Sequence, residues 1–272
     1  MRITFIGGGN MAIALIGGLK KQGFSMAGVQ VVEPFAEARE RLTASFGVRS
    51  AAAVDDVALA CDVLLLAVKP QQMREALAPL GGRLGGQLVL SIAAGLRLAA
   101  IARWLGGHRR LVRAMPNMPA LIGAGITGLY AAPEVDAAGR AQAEKILGAV
   151  GATLWVEDEA RIDAMTAVSG SGPAYVFYFI EAIEAAARGL GFDAISARRL
   201  TVDTFLGAAQ LAAQSSEPVA TLRERVTSKG GTTEAALCAF AECGVAEAIG
   251  QGVLAAHERG QELGRRLGED AC

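Results

Sequence analysis

The chain has 272 residues, 52% of them apolar and 19% charged, with a formal net charge of −1. That is more chain than one small core usually holds, so one large or two modest domains are expected and general disorder is excluded. A near-neutral balance gives no basic face for a nucleic-acid partner. The most apolar stretch, Ala174 to Ala187, carries Glu181 and Glu184 and so makes no membrane span.

Met1 and Arg2 lead straight into the β-rich run Arg2–Ile6, so no secretory signal is expected at this end. The run meets glycines, and helical spacing follows over Met11–Lys21, ending near Gly23. Val29–Val32 predicts a second strand and Glu37–Phe46 a charged helix. Asp62–Val68 predicts a strand buried on both faces; Leu88–Ile92 and Leu111–Ala114 read alike, with Ile126–Tyr130 and Thr153–Val156 extending the sheet. Short strands separated by helical segments imply right-handed βαβ units and a mostly parallel sheet covered on both faces. From Glu159 the pattern is helical only: Pro173–Leu190, Ala197–Ser215, Val219–Val226, Thr233–Cys243 and Val245–Leu267, broken at Gly191-Phe192-Asp193, Glu217-Pro218 and Gly230-Gly231. The fold class expected is therefore α/β, a doubly wound Rossmann-like sheet in residues 1–160, followed by an all-α domain in residues 161–272. The helices are alanine-rich and offer little polar surface, which predicts burial against a second copy rather than a self-contained bundle.

Cys61, Cys238, Cys243 and Cys272 contain no C-x-x-C pair, so neither a disulfide framework nor a zinc site is expected. Cys238 and Cys243 are expected to be buried or inert. The setting these features fit is a cytoplasmic, reducing one, with no bound metal and no membrane.

Two glycine-rich stretches carry chemistry. Gly7-Gly8-Gly9-Asn10-Met11-Ala12 fits G-x-G-x-x-A between a strand and a helix. Gly7 permits the tight turn, Gly9 lets backbone approach a pyrophosphate, and the free N–H groups of the helix start attract phosphate. Glu33, at the end of the second strand, is placed either to accept the ribose hydroxyls of NAD or to close a strand as an ordinary residue. Arg39 and Arg41 read as the solvated face of the next helix. Ala67-Val68-Lys69-Pro70 and Ala114-Met115-Pro116-Asn117 end strands on the side where open sheets bind ligands, and the Asn117 amide suits a carboxamide or a water. Ser91 to Gly95 adds small residues that let a flat ring approach.

The second stretch is Thr227-Ser228-Lys229-Gly230-Gly231-Thr232-Thr233, before a helix. One threonine suffices for a cap; the surplus hydroxyls and paired glycines favour an anion pocket suited to a carboxylate. Ser169-Gly170-Ser171-Gly172-Pro173 reads as a similar entrance or as a plain cap before the longest helix. Neither entrance contains His; His108 and His257 are isolated and read as surface residues, leaving Lys229 as the one candidate base. An alcohol substrate requires such a base, whereas a protonated C=N bond accepts hydride without an enzymatic acid. Serine and threonine hydroxyls then need only orient it.

These residues resemble the pyrroline-5-carboxylate reductase family. FIGGGNMAIALIGGL, LLLAVKPQ, SIAAGL, RAMPNMPALIGAG, TAVSGSGPAYVFYFIEA and VTSKGGTTEAAL follow the family's order across nearly the whole chain. The resemblance implies a substrate loop of Ser228, Gly230, Gly231, Thr232 and Thr233, with Thr233 nearest the ring nitrogen of a cyclic imino acid and with Ser228 and Thr233 in the catalytic role. It implies a cofactor site of Ile6, Gly7, Gly8, Gly9, Asn10, Met11, Ala67, Val68, Lys69, Pro70 and Asn117 for NADPH or NADH; the nicotinamide is expected in the cleft between the domains. It also implies homodimers with interlocked helical domains, assembled into rings up to a decamer of dimers. Lys229 stands where many members carry Pro, and Ser216 to Ala220 lacks their Pro-Gly. The rival readings are a β-hydroxyacid dehydrogenase, which presents a lysine from its long interdomain helix, and a non-catalytic dinucleotide-binding redox sensor.

Overall fold

Four consecutive strand residues, Val63 to Leu66, are all fully buried, and their side chains alternate between two separate apolar cores. That is the signature of a sheet covered on both faces. In chain order the computed structural model, which describes residues 1–268, contains β1 (Ile3–Ile6), α1 (Asn10–Lys21), β2 (Val29–Val32), α2 (Ala36–Phe46), β3 (Arg49–Ala51), α3 (Asp56–Leu59), β4 (Val63–Leu66), α4 (Met73–Leu77), β5 (Leu88–Ser91), α5 (Leu98–Trp104), β6 (Leu111–Met115), β7 (Gly125–Ala131), α6 (Ala137–Leu147), β8 (Gly151–Trp155), α7 (Ala160–Met165), α8 (Gly172–Gly189), α9 (Ala194–Gln214), α10 (Val219–Arg225), α11 (Thr232–Glu242) and α12 (Val245–Gly268). Cys272 lies outside the described residues.

The eight strands run in the order β3-β2-β1-β4-β5-β6-β7-β8. All neighbours are parallel except β6 and β7, which pair antiparallel with Val112 opposite Ala131. Leu15, Ile16 and Leu19 of α1, Leu42 of α2 and Ile146 of α6 cover one face; Met73 and Leu77 of α4 and Leu98 and Ile101 of α5 cover the other. Each such buried side chain contributes roughly 1.5–3 kcal/mol of transfer free energy, so the two cores hold the sheet as a rigid platform. The expected doubly wound sheet is thus present, with β3 as an unforeseen edge strand.

The chain divides into two compact units, Met1–Ser171 with the chain from Ala256 onward, and Gly172–Ala255. These differ from the expected residues 1–160 and 161–272 at two places. Helix α7 packs on β6 and β7, where buried Arg113 pairs with Asp163 at 2.5 Å and Glu159 at 3.3 Å. The last part of α12 also belongs to the first unit: a Cβ on Gly264 would run into the Gly95 carbonyl oxygen, and the Arg103 guanidinium donates to the Gly268 carbonyl at 2.8 Å.

In the second unit α8 packs on α9, and Asp193 starts α9 by accepting from the backbone N–H of Ile195 and Ser196 at 2.9 Å. Those bonds, with the Ser196 hydroxyl, hold its carboxyl below the usual range. Among this unit's residues only Ala197 and Thr201 are buried within one chain, while Phe177, Tyr178, Leu206, Leu211 and Phe240 are exposed. Cys238 and Cys243, expected to be buried or inert, are exposed in the single chain. Among the described residues no single helix is long and apolar enough to cross a membrane.

Candidate functional site

The glycine-rich turn lies where β1 ends. Gly7 has φ +98°, and a Cβ there would sit 2.8 Å from the Ala67 carbonyl oxygen. No side chain of L configuration fits, so the turn passes directly over the end of β4. Around Gly9 the opposite holds: a Cβ would meet nothing within 4 Å. Gly9 is the N-cap of α1, no side chain caps the helix, and its first turn holds no acid. The first intrahelical bond runs from Ile13 N to Gly9 O at 3.0 Å, so the N–H groups of Asn10, Met11 and Ala12 lack helical partners. Open space beside unpaired N–H groups at a helix start fits a dinucleotide's pyrophosphate. Ile6, Gly7 and Gly8 are buried, while Gly9 and Asn10 are exposed.

Glu33 directly follows β2 and is 8% exposed. One carboxylate oxygen accepts from Gly8 N at 2.9 Å and the other from Phe35 N at 3.1 Å. Glu33 therefore shapes the glycine turn as well as facing it, and its spare lone pairs remain available to hydroxyls. Arg39, read from sequence as a solvated residue of α2, instead donates to the carbonyls of Glu33 and Pro34 at 2.8 and 2.7 Å. Its cation stands at the same β2–α2 turn. Ala67 and Val68 close against Gly7; Lys69 is exposed, and Pro70 opens a short 3-10 turn.

Asn117 follows β6 and is 9% exposed. Its Oδ1 accepts from Ile126 N at 3.0 Å and its Nδ2 donates to the Ser169 carbonyl at 3.1 Å. Both ends of the amide expected for a carboxamide or water have partners inside the chain. Ser169 to Gly172 is not a loop opening onto a free helix start. Residues Thr166–Gly170 form a π-helical turn, closed by Ser171 N to Thr166 O at 2.8 Å. The Ser169 hydroxyl donates to Met165 O at 2.9 Å. Nor does this turn precede the longest helix, which is α12 with 24 residues.

The 228–233 stretch lies in the second unit. Gly231 N donates to Ser228 O at 3.0 Å, closing a turn in which Gly230 has φ +71°. Gly230 N donates to the Glu234 carboxylate at 2.6 Å. The N–H groups of Gly230 and Gly231 are thus engaged, which leaves those of Thr232 and Thr233 to the anion pocket expected in this stretch. Thr232 and Thr233 occupy the first two positions of α11, whose N-cap is Gly231, and neither hydroxyl caps the helix. The capping alternative for these threonines is not realised. Ser228 and Lys229 are exposed.

The two histidines are not plain surface residues. His108 Nε2 faces the Gln87 carbonyl at 2.9 Å and must donate to it. Burial pushes this imidazole below its ordinary range. His257 Nε2 meets Gln261 at 3.1 Å, and its Nδ1 is buried. Two contributors, Glu234 and Arg113, escaped the sequence reading, and a third, Arg39, was read there only as a solvated residue. Glu234 sits three residues past a helix start, the capping-box position, which is a legible signal. Arg113 is a lone cation in the apolar strand LVRAM, which predicts a buried acid without naming Asp163. Arg39 carries no such signal.

Comparison with known proteins now decides the family. A family model described as pyrroline-5-carboxylate reductase dimerisation matches residues 159–263, and one described as NADP oxidoreductase, coenzyme F420-dependent, matches residues 2–95. The pyrroline-5-carboxylate reductase of Pseudomonas aeruginosa is 46% identical over 98% of each chain. The chain belongs to the pyrroline-5-carboxylate reductase family. The reductase of Coxiella burnetii superposes with a TM-score of 0.91 at 40% identity, covering 96% of this chain and 98% of that one. The Plasmodium falciparum pyrroline carboxylate reductase, solved with NADP bound, gives 0.87 at 25% identity over 97% and 98%. In this reductase chain the first matched segment holds α7 to most of α12, including the 228–233 turn. The second holds the glycine turn, Glu33 and Ala67 to Pro70.

Proposed function

We propose that the chain reduces the C=N bond of 1-pyrroline-5-carboxylate to give L-proline, the last step of proline biosynthesis, with NADPH or NADH as reductant in the cytoplasm. Beyond family membership, one observation carries this reading. Helix α11 begins with two threonines whose hydroxyls are not consumed as caps, beside N–H groups without helical partners. When bound, the reduced nucleotide supplies hydride to the imine carbon, and the ring nitrogen, protonated in solution, needs no acid from the polypeptide. The chain's own tasks are to bind and to orient. The N–H groups of Asn10, Met11 and Ala12, with the α1 dipole, hold the pyrophosphate. Glu33 and Arg39 meet the adenosine ribose and whatever it carries. Ala67 to Pro70 lines the turn against Gly7. The N–H groups of Thr232 and Thr233 take the substrate carboxylate, and the Thr233 hydroxyl accepts from the ring N–H. Ser228 and the Gly230-Gly231 turn hold that helix start in shape, with Glu234 bracing it.

A β-hydroxyacid dehydrogenase would present lysine from a long helix, and α8, GPAYVFYFIEAIEAAARG, contains none. The exposed apolar residues of the second unit are covered in this reading by a second copy, and the rings implied by the family are built from such dimers. The test is oxidation of NADH and NADPH by the purified protein with pyrroline-5-carboxylate, followed side by side at about 340 nm. Turnover on the imino acid with at least one nucleotide is expected. Turnover on hydroxy acids alone, or nucleotide binding without turnover, contradicts the proposal.

A further inference from the structure

In a regular α-helix the Ser169 carbonyl would accept from the N–H of residue 173. Residue 173 is proline and has no N–H. Pro173 withholds the i+4 donor from the Ser169 carbonyl at the end of the Thr166–Gly170 π turn, and Asn117 Nδ2 donates to that carbonyl at 3.1 Å. The other end of the same amide holds Ile126 N, one residue into β7. The π turn also lies directly on the end of β6: a Cβ on Gly170 would come within 2.6 Å of Met115 Cε. One turn earlier, buried Asp163 is gripped by Arg113 and by Arg97 at 2.8 Å. Helix α7 and its π turn are thus tied at two levels to the ligand-side edge of the sheet.

We propose that Asn117 is a positioning residue which sets the π turn at that edge through the Ser169 carbonyl, and does not itself touch the nucleotide. The proposal rests on the reductase reading for its kinetic consequence only. Ser169 is half-buried, and a carbonyl shielded from water without a donor is unfavourable, so losing the Asn117 amide displaces the π turn rather than leaving this carbonyl unpaired.

Asn117→Asp tests this by chemistry. As a carboxylate, Asp accepts from Ile126 N but repels the Ser169 carbonyl; protonated, its O–H donates to that carbonyl and restores the original pattern. The buried carboxyl facing a carbonyl titrates above the ordinary value of about 4. Relative to wild type, kcat of the variant is expected to be about tenfold or more lower at high pH. The deficit shrinks as pH falls from about 8 to about 5, and the Tm deficit narrows over the same range. The NADPH dissociation constant, measured by nucleotide fluorescence, stays within about threefold. Asn117→Ala should show no recovery at any pH. Its Tm deficit should be smaller in a Pro173→Ala background, where residue 173 gains an N–H for Ser169. A pH-independent deficit in Asn117→Asp, a tenfold or greater loss of NADPH affinity, or equal Asn117→Ala deficits in both backgrounds would overturn the proposal. Wild type failing to turn over the imino acid would sink the reductase reading alone, since both Tm arms still report on the tether.

Discussion

A single carboxylate can serve the backbone and a ligand together, and Glu33 is built for both. Its oxygens hold Gly8 N and Phe35 N, and burial leaves little room for its charge to be hydrated. The anion favours ribose hydroxyls and repels a 2′-phosphate, while Arg39 at the same turn attracts one. Glu33→Ser removes the repulsion and leaves the cation. The ratio of kcat/KM for NADPH over NADH should rise about tenfold, corresponding to about 1.4 kcal/mol; an unchanged ratio would remove Glu33 from nucleotide selection. Residue-scale reading from sequence placed Glu33 at the right turn because an acid after the second strand is a positional signal. Asn117 was singled out for a similar reason, yet its partner Ser169 stands 52 positions away along the chain. No local pattern tells a ligand-facing amide from one committed to a distant carbonyl.

At the scale of elements, apolar runs and their periods made most strands and helices legible, since burial on both faces of a sheet leaves a continuous mark. β3 escaped because Arg49–Ala51 is a short edge strand with no buried residue. The reversal at β7 was open to inference: residues 116–124 are too few for a parallel crossover, which takes about a dozen or more. The π turn was not, because glycine and serine signal a break and only tertiary contacts keep the segment helical. Helix α12 offers a test of such contacts. Gly260 and Gly264 lie one turn apart, but a Cβ on Gly260 meets open space while one on Gly264 strikes the Gly95 backbone. Gly260→Ala should therefore raise Tm slightly, by the helix-propensity gain of up to about 1 kcal/mol. Gly264→Ala should lower Tm by several degrees, because about 1–3 kcal/mol of overpacking outweighs that gain. Thermal melts of the two variants showing shifts of the same sign would contradict the packing described for α12.

The whole molecule divides its work between two units. The first unit contains the uncapped start of α1 with Glu33 and Arg39; the second contains the uncapped start of α11 with Thr232 and Thr233. Sequence composition already distinguished a sheet-bearing half from an alanine-rich helical half. By contacts α7 and the end of α12 group with the sheet, through ion pairs and glycine packing, while the matched dimerisation model begins at residue 159, at the boundary that composition implied. If the reaction needs orientation and no protein acid, removing one hydroxyl in the second unit should slow chemistry and leave nucleotide binding alone. The most direct measurement is the kinetics of Thr233→Ala with pyrroline-5-carboxylate, set beside its NADPH dissociation constant. A fall in kcat/KM of about ten- to a hundredfold, the loss of one hydrogen bond to a charged group, is expected, with the dissociation constant within about twofold of wild type. Equal losses in both quantities, or no loss in kcat/KM, would contradict this expectation.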